Sequence, residues 1–177
     1  IGFDLHVDFI LGRVLDRAFE VLDFDQGVVL LLDRQGKFHI HAYKTKNMDD
    51  ELVISRTLVD LVAGDCQGVV LINPNPSAGL EAPEFIETPV QTTLAVPILD
   101  EQDIQGVIIL DRWAVYSPYR EKELNLLSNV ANKAGMFMRN SRIAKSVTRE
   151  SLERERYRKM LSPEMAEMIV AGQIDVD

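Results

Sequence analysis

The spacing of apolar residues along the chain predicts a mixture of helices and strands. Between residues 8 and 22 apolar residues recur every three or four positions, which is the period of an amphipathic helix. Continuous apolar runs and alternating stretches then predict strands at residues 27–32, 37–43, 68–72, 93–98 and 105–111. A second helix is predicted at 54–63. A long final helix is predicted with Ser117 as its N-cap and Pro118 at its first position.

Two of these elements have faces that the pattern assigns. In the strand at 37–43, alternation places three apolar side chains on one buried face: Phe38, Ile40 and Ala42. The helix at 54–63 has Ser55 near its start, and its predicted buried face consists of Ile54, Leu58, Leu61 and Val62. The last two strands are separated by the polar turn 99–103 and are expected to form an antiparallel hairpin.

A proline-rich segment from Asn73 to Pro89 separates the third and fourth strands. Proline prevents a long helix there, and a loop of this length in a compact domain usually has a functional role. The order of the elements predicts an α+β fold, in which an antiparallel sheet carries the helices on one face and this loop on the other.

Composition and charge narrow the classes of partner. The chain has 177 residues and a formal net charge of -9, from 28 acidic and 19 basic residues, which argues against binding to nucleic acid. No apolar run approaches the roughly 20 residues that span a bilayer, so no membrane partner is expected. The single cysteine, Cys66, excludes an internal disulfide and favours a cytoplasmic location. Because the chain begins at Ile1, we expect it to be part of a longer protein.

Four segments, in their order and spacing, resemble the GAF family of small-molecule sensor domains over residues 5–145. They are residues 68–74 (GVVLINP), 91–98 (QTTLAVPI), 106–112 (GVIILDR) and 124–134 (LNLLSNVANKA). The resemblance implies a PAS-like fold with a central antiparallel sheet of five to six strands and a pocket between the sheet and the long loop. It also implies flanking helices that form parallel dimers. The first helix, 8–22, is then expected in the dimer bundle, with an alternative interface around Leu11, Val14 and Ala18.

The C-terminal residues resemble the segment that joins GAF domains to class III adenylate or guanylate cyclase domains in bacteria. This resemblance rests on Arg156-Tyr157, on Leu161 to Glu164 and on the Ile169 to Gly172 stretch. It implies a nucleotide cyclase output domain C-terminal to this fragment in the same chain. Other outputs remain open, namely a kinase, a phosphodiesterase or a transcription activator. A ligand-free dimerisation module is a further alternative.

The fragment itself is not expected to be an enzyme. It stops at Asp177, before the metal-binding aspartate strand that a cyclase domain would supply. It also offers no Ser-His-Asp candidate set and no phosphate-binding glycine loop.

We expect three segments: a sensor domain at 1–140, a coiled-coil signalling helix at 141–161 and a short linker helix at 162–177 that leads to the output domain. In the long helix, residues spaced alternately by three and four form the a and d positions of a coiled-coil seam: Asn140, Ile143, Val147, Glu150, Arg154, Tyr157 and Leu161. The apolar members are Ile143, Val147, Tyr157 and Leu161. A seam with so many polar positions predicts a weak, switchable homodimer, and the alternative is a helix that packs on its own domain.

The candidate ligand-binding residues are polar positions around the long loop and at the strand ends: Asn73, Ser77, Thr92, Thr93 and Asp111. In a pocket beneath the loop they would bind an unidentified small molecule. GAF domains that bind cyclic nucleotides carry an Asn-Lys-x-x-Phe-Asp-Glu pattern after the pocket. Residues 111–116 here are DRWAVY, so neither cyclic AMP nor cyclic GMP is expected, and no cofactor is predicted.

Two histidines and the cysteine are further candidate sites. His39 and His41 lie two residues apart and hence on one face of the predicted strand, where two imidazoles can bind a metal. A third ligand is not evident, so two exposed strand histidines are the simpler interpretation and no metal site is predicted. Cys66 lacks the sequence context of a chromophore-binding cysteine and is interpreted as an ordinary thiol.

Overall fold

One antiparallel sheet organises the part of the chain that the structure describes. The computed structural model describes residues 5–47, 52, 54–72, 92–113 and 118–160, and within them five strands pair in the order β2-β1-β5-β4-β3. The strands are β1 (Gln26–Leu32), β2 (Phe38–Thr45), β3 (Val69–Ile72), β4 (Thr92–Asp100) and β5 (Asp103–Arg112). The helices are α1 (Leu5–Leu22), α2 (Arg56–Asp65) and α3 (Glu121–Met160). The predicted α+β fold with an antiparallel sheet is confirmed.

The hairpin of β4 and β5 is confirmed, and its turn is shorter than predicted. Both strands continue pairing up to Asp100 and Asp103, which leaves Glu101 and Gln102 as the turn residues. Glu101 has a φ of 58°, the left-handed conformation that two-residue hairpin turns favour.

Each central strand buries side chains on both faces of the sheet. In β1, Val29 and Leu31 pack against α1 and α3, on what we call the α1–α3 face. Val28 and Leu30 pack against α2, on what we call the α2 face. The expectation that the helices lie on one face is therefore wrong. An apolar run without alternation, such as residues 27–32, needs cover on both faces. The predicted loop at 73–89 lies outside the described residues.

The position of α2 in the sequence is close to the prediction, but the face that it buries differs from the predicted one. Ser55 is the N-cap, and its Oγ accepts a hydrogen bond from the backbone N–H of Leu58 at 3.3 Å. The buried residues are Leu58, Val59 and Val62, whereas Leu61 is 42% exposed. The prediction of a buried Leu61 is wrong because the helix is rotated about its axis, so that Val59 takes the place facing the sheet.

A β-bulge in β2 changes which side chains share a face. The register with β1 shifts between Ile40 and Ala42, so His41 is the extra residue of the bulge. As a result, Phe38 packs on the α2 face and Ala42 on the α1–α3 face, while Ile40 is 51% exposed. The prediction that Phe38, Ile40 and Ala42 share one buried face is wrong because the bulge interrupts the alternation.

The helix α3 begins three residues later than predicted. Pro118 precedes the helix, and the backbone N–H of Arg120 donates to Oε2 of Glu123 at 2.9 Å. This bond closes the first turn as in a capping box and lowers the pKa of Glu123. The predicted start was wrong because Glu123 supplies the acceptor at this helix end. Ser117 lies outside the described residues.

The chain divides into two compact units, Ile1–Met138 and Arg139–Asp177. In the second unit, the described residues 139–160 all belong to α3. The predicted linker helix at 162–177 lies outside the described residues. No helix in the described part of the chain combines the length and the apolar character needed to cross a bilayer.

Within the first unit, the approach of α3 to the sheet depends on a glycine. A Cβ atom at Gly135 would lie 2.0 Å from the carbonyl oxygen of Leu99 in β4. Because this neighbour is backbone and cannot rotate away, only glycine permits the observed packing.

We expect Gly135→Ala to lower the free energy of unfolding by about 1–3 kcal/mol, because α3 must move away from β4. The matched control is Gly12→Ala in α1, where an added Cβ meets no atom within 4 Å. There the loss of a helical glycine should raise stability by roughly 0.5–1 kcal/mol. Denaturant unfolding measures both variants. If Gly135→Ala stabilised the protein as much as the control does, the close approach would be disproved.

Candidate functional site

Three polar side chains meet on the α2 face at one end of the central strands. Gln26 in β1 and Thr93 in β4 are both cross-strand partners of Asp111 in β5. The hydroxyl of Thr93 donates to Oδ1 of Asp111 at 2.6 Å, and Nε2 of Gln26 donates to Oδ2 at 3.0 Å. All three residues are buried. We call Gln26, Thr93 and Asp111 the carboxyl cluster.

Strand alternation places the carboxyl cluster beside an apolar row. On each of the three strands, the residue two positions from the cluster is apolar and buried on the same face. These residues are Val28, Ala95 and Ile109. This packing removes the carboxyl group of Asp111 from water. Burial raises the pKa of Asp111 to about 6, and the hydrogen bonds from Thr93 and Gln26 act in the opposite direction.

A carboxyl group with this pKa exchanges a proton close to neutral pH. When ionised, Asp111 accepts hydrogen bonds from donors, and when protonated, it can also donate one. Each of its oxygens accepts one hydrogen bond within the carboxyl cluster and has a further lone pair. The arrangement is therefore suited to binding a small polar group and to taking up a proton.

The adjacent residues Thr92 and Arg112 belong to the opposite face. They are buried cross-strand partners of each other. The guanidinium of Arg112 donates to the carbonyl oxygens of Leu22 and Asp23 at the end of α1, with an Nη2–O distance of 2.7 Å to Asp23. Its Cζ atom also lies 4.2 Å from the ring centroid of Tyr119, just before α3. Arg112 thus connects β5 to the end of α1 and to the start of α3.

An ion-pair network closes the same end of the sheet. Nζ of Lys46 lies 2.9 Å from Oδ1 of Asp23 and 3.3 Å from Oδ1 of Asp25. The hydrogen bond with Lys46 lowers the pKa of Asp23, and the same bond raises the pKa of Lys46. Asp25 also accepts a hydrogen bond from the backbone N–H of Trp113 at 2.8 Å. These contacts tie the ends of β1, β2 and β5 together beside the carboxyl cluster.

The structure brings together two of the predicted ligand-binding residues. Thr93 and Asp111 are hydrogen-bonded, whereas Thr92 lies on the opposite face. Asn73 and Ser77 lie outside the described residues. Gln26 was not predicted, although a polar residue directly before the apolar run 27–32 is a weak signal. Its relation to the site becomes clear only from the pairing of β1 with β5, which places Gln26 opposite Asp111.

The histidines and the cysteine occupy separate places. Nε2 of His39 lies 2.7 Å from Oδ2 of Asp33, and a hydrogen bond from the backbone N–H of Lys37 and the His39 contact together lower the pKa of Asp33. The bulge at His41 ends the alternation that placed both histidines on one face. Among the described residues, no three His, Cys, Asp or Glu side chains are grouped to hold a metal ion. Cys66 is the C-cap of α2 and has a φ of 51°.

The burial of Asp111 predicts a pH dependence of stability. Its pKa is about 6 in the folded protein against an ordinary 3.8, so the folded state binds this proton more tightly than the unfolded state. The stability that protonation contributes is complete below about pH 4 and is lost as the pH rises through about 6; it is on the order of 3 kcal/mol. We expect Asp111→Asn, whose amide oxygen can accept from Nε2 of Gln26 and whose amide nitrogen can donate to the hydroxyl of Thr93, to be more stable than wild type at about pH 8 but not at pH 4.

Thermal unfolding between these two pH values measures this difference. The control is Asp103→Asn, which removes an exposed carboxyl group from the same strand. A gap between Asp111→Asn and wild type that stayed constant over this range would show that Asp111 does not titrate as its burial requires.

Comparison with solved structures shows the same fold in several proteins. A GAF domain/HD domain protein from Geobacter sulfurreducens is 16% identical with a TM-score of 0.64, over 77% of this chain and 94% of that chain. A GAF domain from Synechocystis sp., solved in its photoproduct state, is 14% identical with a TM-score of 0.63, over 80% of this chain and 98% of that chain. The GAF domain of a phosphoenolpyruvate-protein phosphotransferase from Coxiella burnetii is 18% identical with a TM-score of 0.61, over 79% and 86%.

At these identities the structural likeness shows the fold alone. A search of curated protein sequences found no match. The sequence model of the family described as GAF domain matches residues 6–137, which is well over half of the chain. The chain therefore belongs to the GAF family.

Proposed function

We propose that this GAF domain is the regulatory input of a cytoplasmic signalling protein, that it forms a homodimer through α3, and that it relays a signal to a C-terminal nucleotide cyclase domain. The observation that carries the proposal is an exposed apolar row on α3. Ile143, Val147 and Tyr157 occupy a and d positions of the predicted seam and are 55%, 59% and 65% exposed.

The exposure of this row supports association with a second copy. In the described part of the second unit, residues 139–160, every side chain is exposed or half-buried. Apolar side chains at a and d positions lie along one stripe of the helix, and a second helix that pairs with it removes the stripe from water. Each large side chain so buried contributes on the order of 1.5–3 kcal/mol before the costs of ordering. Leu161, the next apolar position, lies outside the described residues.

The first helix is a weaker candidate for the interface around Leu11, Val14 and Ala18. Leu11 and Ala18 are buried in the core of the α1–α3 face. An interface on α1 would have to use its exposed apolar residues instead, Phe9 and Val21.

The contacts within the first unit support a route for the signal. A ligand at the carboxyl cluster would act on β5 through Asp111, and the next residue, Arg112, holds the end of α1 and the ring before α3. We infer that binding shifts the population between two packings of these helices, and that the 40-residue helix α3 carries the change onward. Asn73 and Ser77 remain in the proposed ligand site.

A ligand-free dimerisation module is the second candidate. It is favoured by the carboxyl cluster itself, in which both oxygens of Asp111 already accept a hydrogen bond and the residue is only 6% exposed. A thermal-shift screen of metabolites against wild type and Thr93→Ala separates the two candidates. A sensor should be stabilised by a compound that acts less on the variant, whereas no shift from any compound, with dimers intact, favours the ligand-free module.

The cyclase output is supported by the C-terminal sequence resemblance around Arg156-Tyr157 and Leu161 to Glu164. We expect the product of the complete gene to convert ATP or GTP to the cyclic nucleotide in the presence of a divalent metal, and this fragment alone to form none. If the complete protein acts instead as a kinase, phosphodiesterase or transcription activator, the proposed cyclase output is wrong. The proposed regulatory role of this domain would still hold.

We expect Val147→Glu with Leu161→Glu to convert the dimer to a folded monomer, because paired helices would bury four added charges in the seam. The matched control is Thr148→Glu with Leu152→Glu, which adds the same charges at exposed positions outside the seam. Light scattering measures the mass, and circular dichroism checks the fold. If the seam variant remained dimeric, the interface would lie elsewhere, with Phe9 and Val21 as the next candidates.

A further inference from the structure

Two opposite charges interrupt the apolar row of the seam. Glu150 and Arg154 occupy a d and an a position between Val147 and Tyr157. They are four residues apart in the Glu-to-Arg order that suits an ion pair within a helix. Among the described residues of this chain, however, neither of them forms an ion pair. Elsewhere on α3, Arg149 pairs with Glu153 at 3.1 Å and Lys159 with Glu155 at 3.2 Å.

We propose that Glu150 of each copy pairs with Arg154 of the other copy, in a dimer whose helices lie parallel and in register, and that Asn140 sets this register. The inference rests on the proposed homodimer and specifies its partner surface. Successive d and a layers are about 6 Å apart along the helix axis, within reach of Glu and Arg side chains from opposite helices.

The order of residues along the seam favours the parallel arrangement. In a parallel, in-register pair each position faces its own counterpart, so Ile143 meets Ile143 and the charged layers are adjacent. In the antiparallel alignment with full overlap of residues 140–157, Ile143 would face Arg154 and Val147 would face Glu150. Each charge would then be buried against an apolar side chain of the other copy, without an oppositely charged partner there, which is the costly arrangement.

Asn140 adds a second determinant of register. A polar Asn at a single a position pairs with its counterpart in parallel two-stranded coiled coils and specifies their register, at a cost in stability. In the antiparallel alignment Asn140 would face Tyr157, and its amide would lose its counterpart. The polar positions of the seam therefore supply orientation, while Ile143, Val147 and Tyr157 supply affinity.

Charge exchange tests the pairing. We expect Glu150→Arg to raise the dimer dissociation constant at least about tenfold, because four positive charges then occupy adjacent layers, and Arg154→Glu to have a similar effect. The double exchange, Glu150→Arg with Arg154→Glu, should return the constant to within about threefold of wild type. The matched control is Glu155→Arg on the outer face of α3, which should leave the dimer unchanged. Sedimentation equilibrium measures all four variants.

Cysteine cross-linking tests the orientation. In a Cys66→Ser background, which contains no other cysteine, Ile143→Cys should oxidise to a disulfide-linked dimer. Lys145→Cys, on the opposite side of the helix, should not. A dimer in which Ile143→Cys fails to cross-link, or in which the double exchange restores nothing, overturns this inference and leaves dimerisation intact. A wild-type chain that is monomeric at all concentrations overturns the inference and the proposed homodimer together.

Discussion

The burial of the central strands on both faces is the constraint on which the rest of this structure depends. β1, β4 and β5 present apolar side chains to the α1–α3 face and to the α2 face, so each face needs its own helical cover. Within the described residues, the buried polar side chains are grouped at one end of the sheet: Gln26, Thr92, Thr93, Asp111 and Arg112. Polar groups in such a setting must find partners from neighbouring strands, and their pairing joins β1, β5 and β4 at that end.

The features that sequence alone predicted are those set by local periodicity. The amphipathic helix at 8–22, the apolar run at 27–32 and the start of a helix near Ser55 all depend on residues close in the chain, and the structure contains each of them. The cover on both faces was implicit in the same apolar run, but the choice of covering helix depends on how strands far apart in sequence pair. Gln26 was missed for that reason, since its hydrogen-bond partner Asp111 lies 85 residues away.

The errors in predicting the faces of β2 and the start of α3 have a common physical cause. In each case a single residue changes the structure that the spacing of apolar residues predicts. At His41 one extra residue in β2 moves the side chains after it to the opposite face of the sheet from the one that regular alternation predicts. The composition of the segment is still that of a regular strand. At the start of α3, the side chain of Glu123 supplies the acceptor that a preceding serine was expected to supply. The position of a bulge and the first residue of a helix depend on the geometry of the partner strand or of the helix end. The pattern of apolar residues contains no information about that geometry.

The alternation of β5 and the predicted seam of α3 together suit the proposed switch better than a fixed assembly. Adjacent residues of a strand point to opposite faces, so Asp111 and Arg112 put the carboxyl cluster and the ends of α1 and α3 one peptide bond apart. A seam made entirely of apolar residues would hold two copies in one packing, separated from other packings by a large free-energy gap. In the proposed dimer, charged positions would reduce that gap, so that a modest change at Asp111, of the size that one proton or one bound group supplies, would be sufficient to shift the balance between packings.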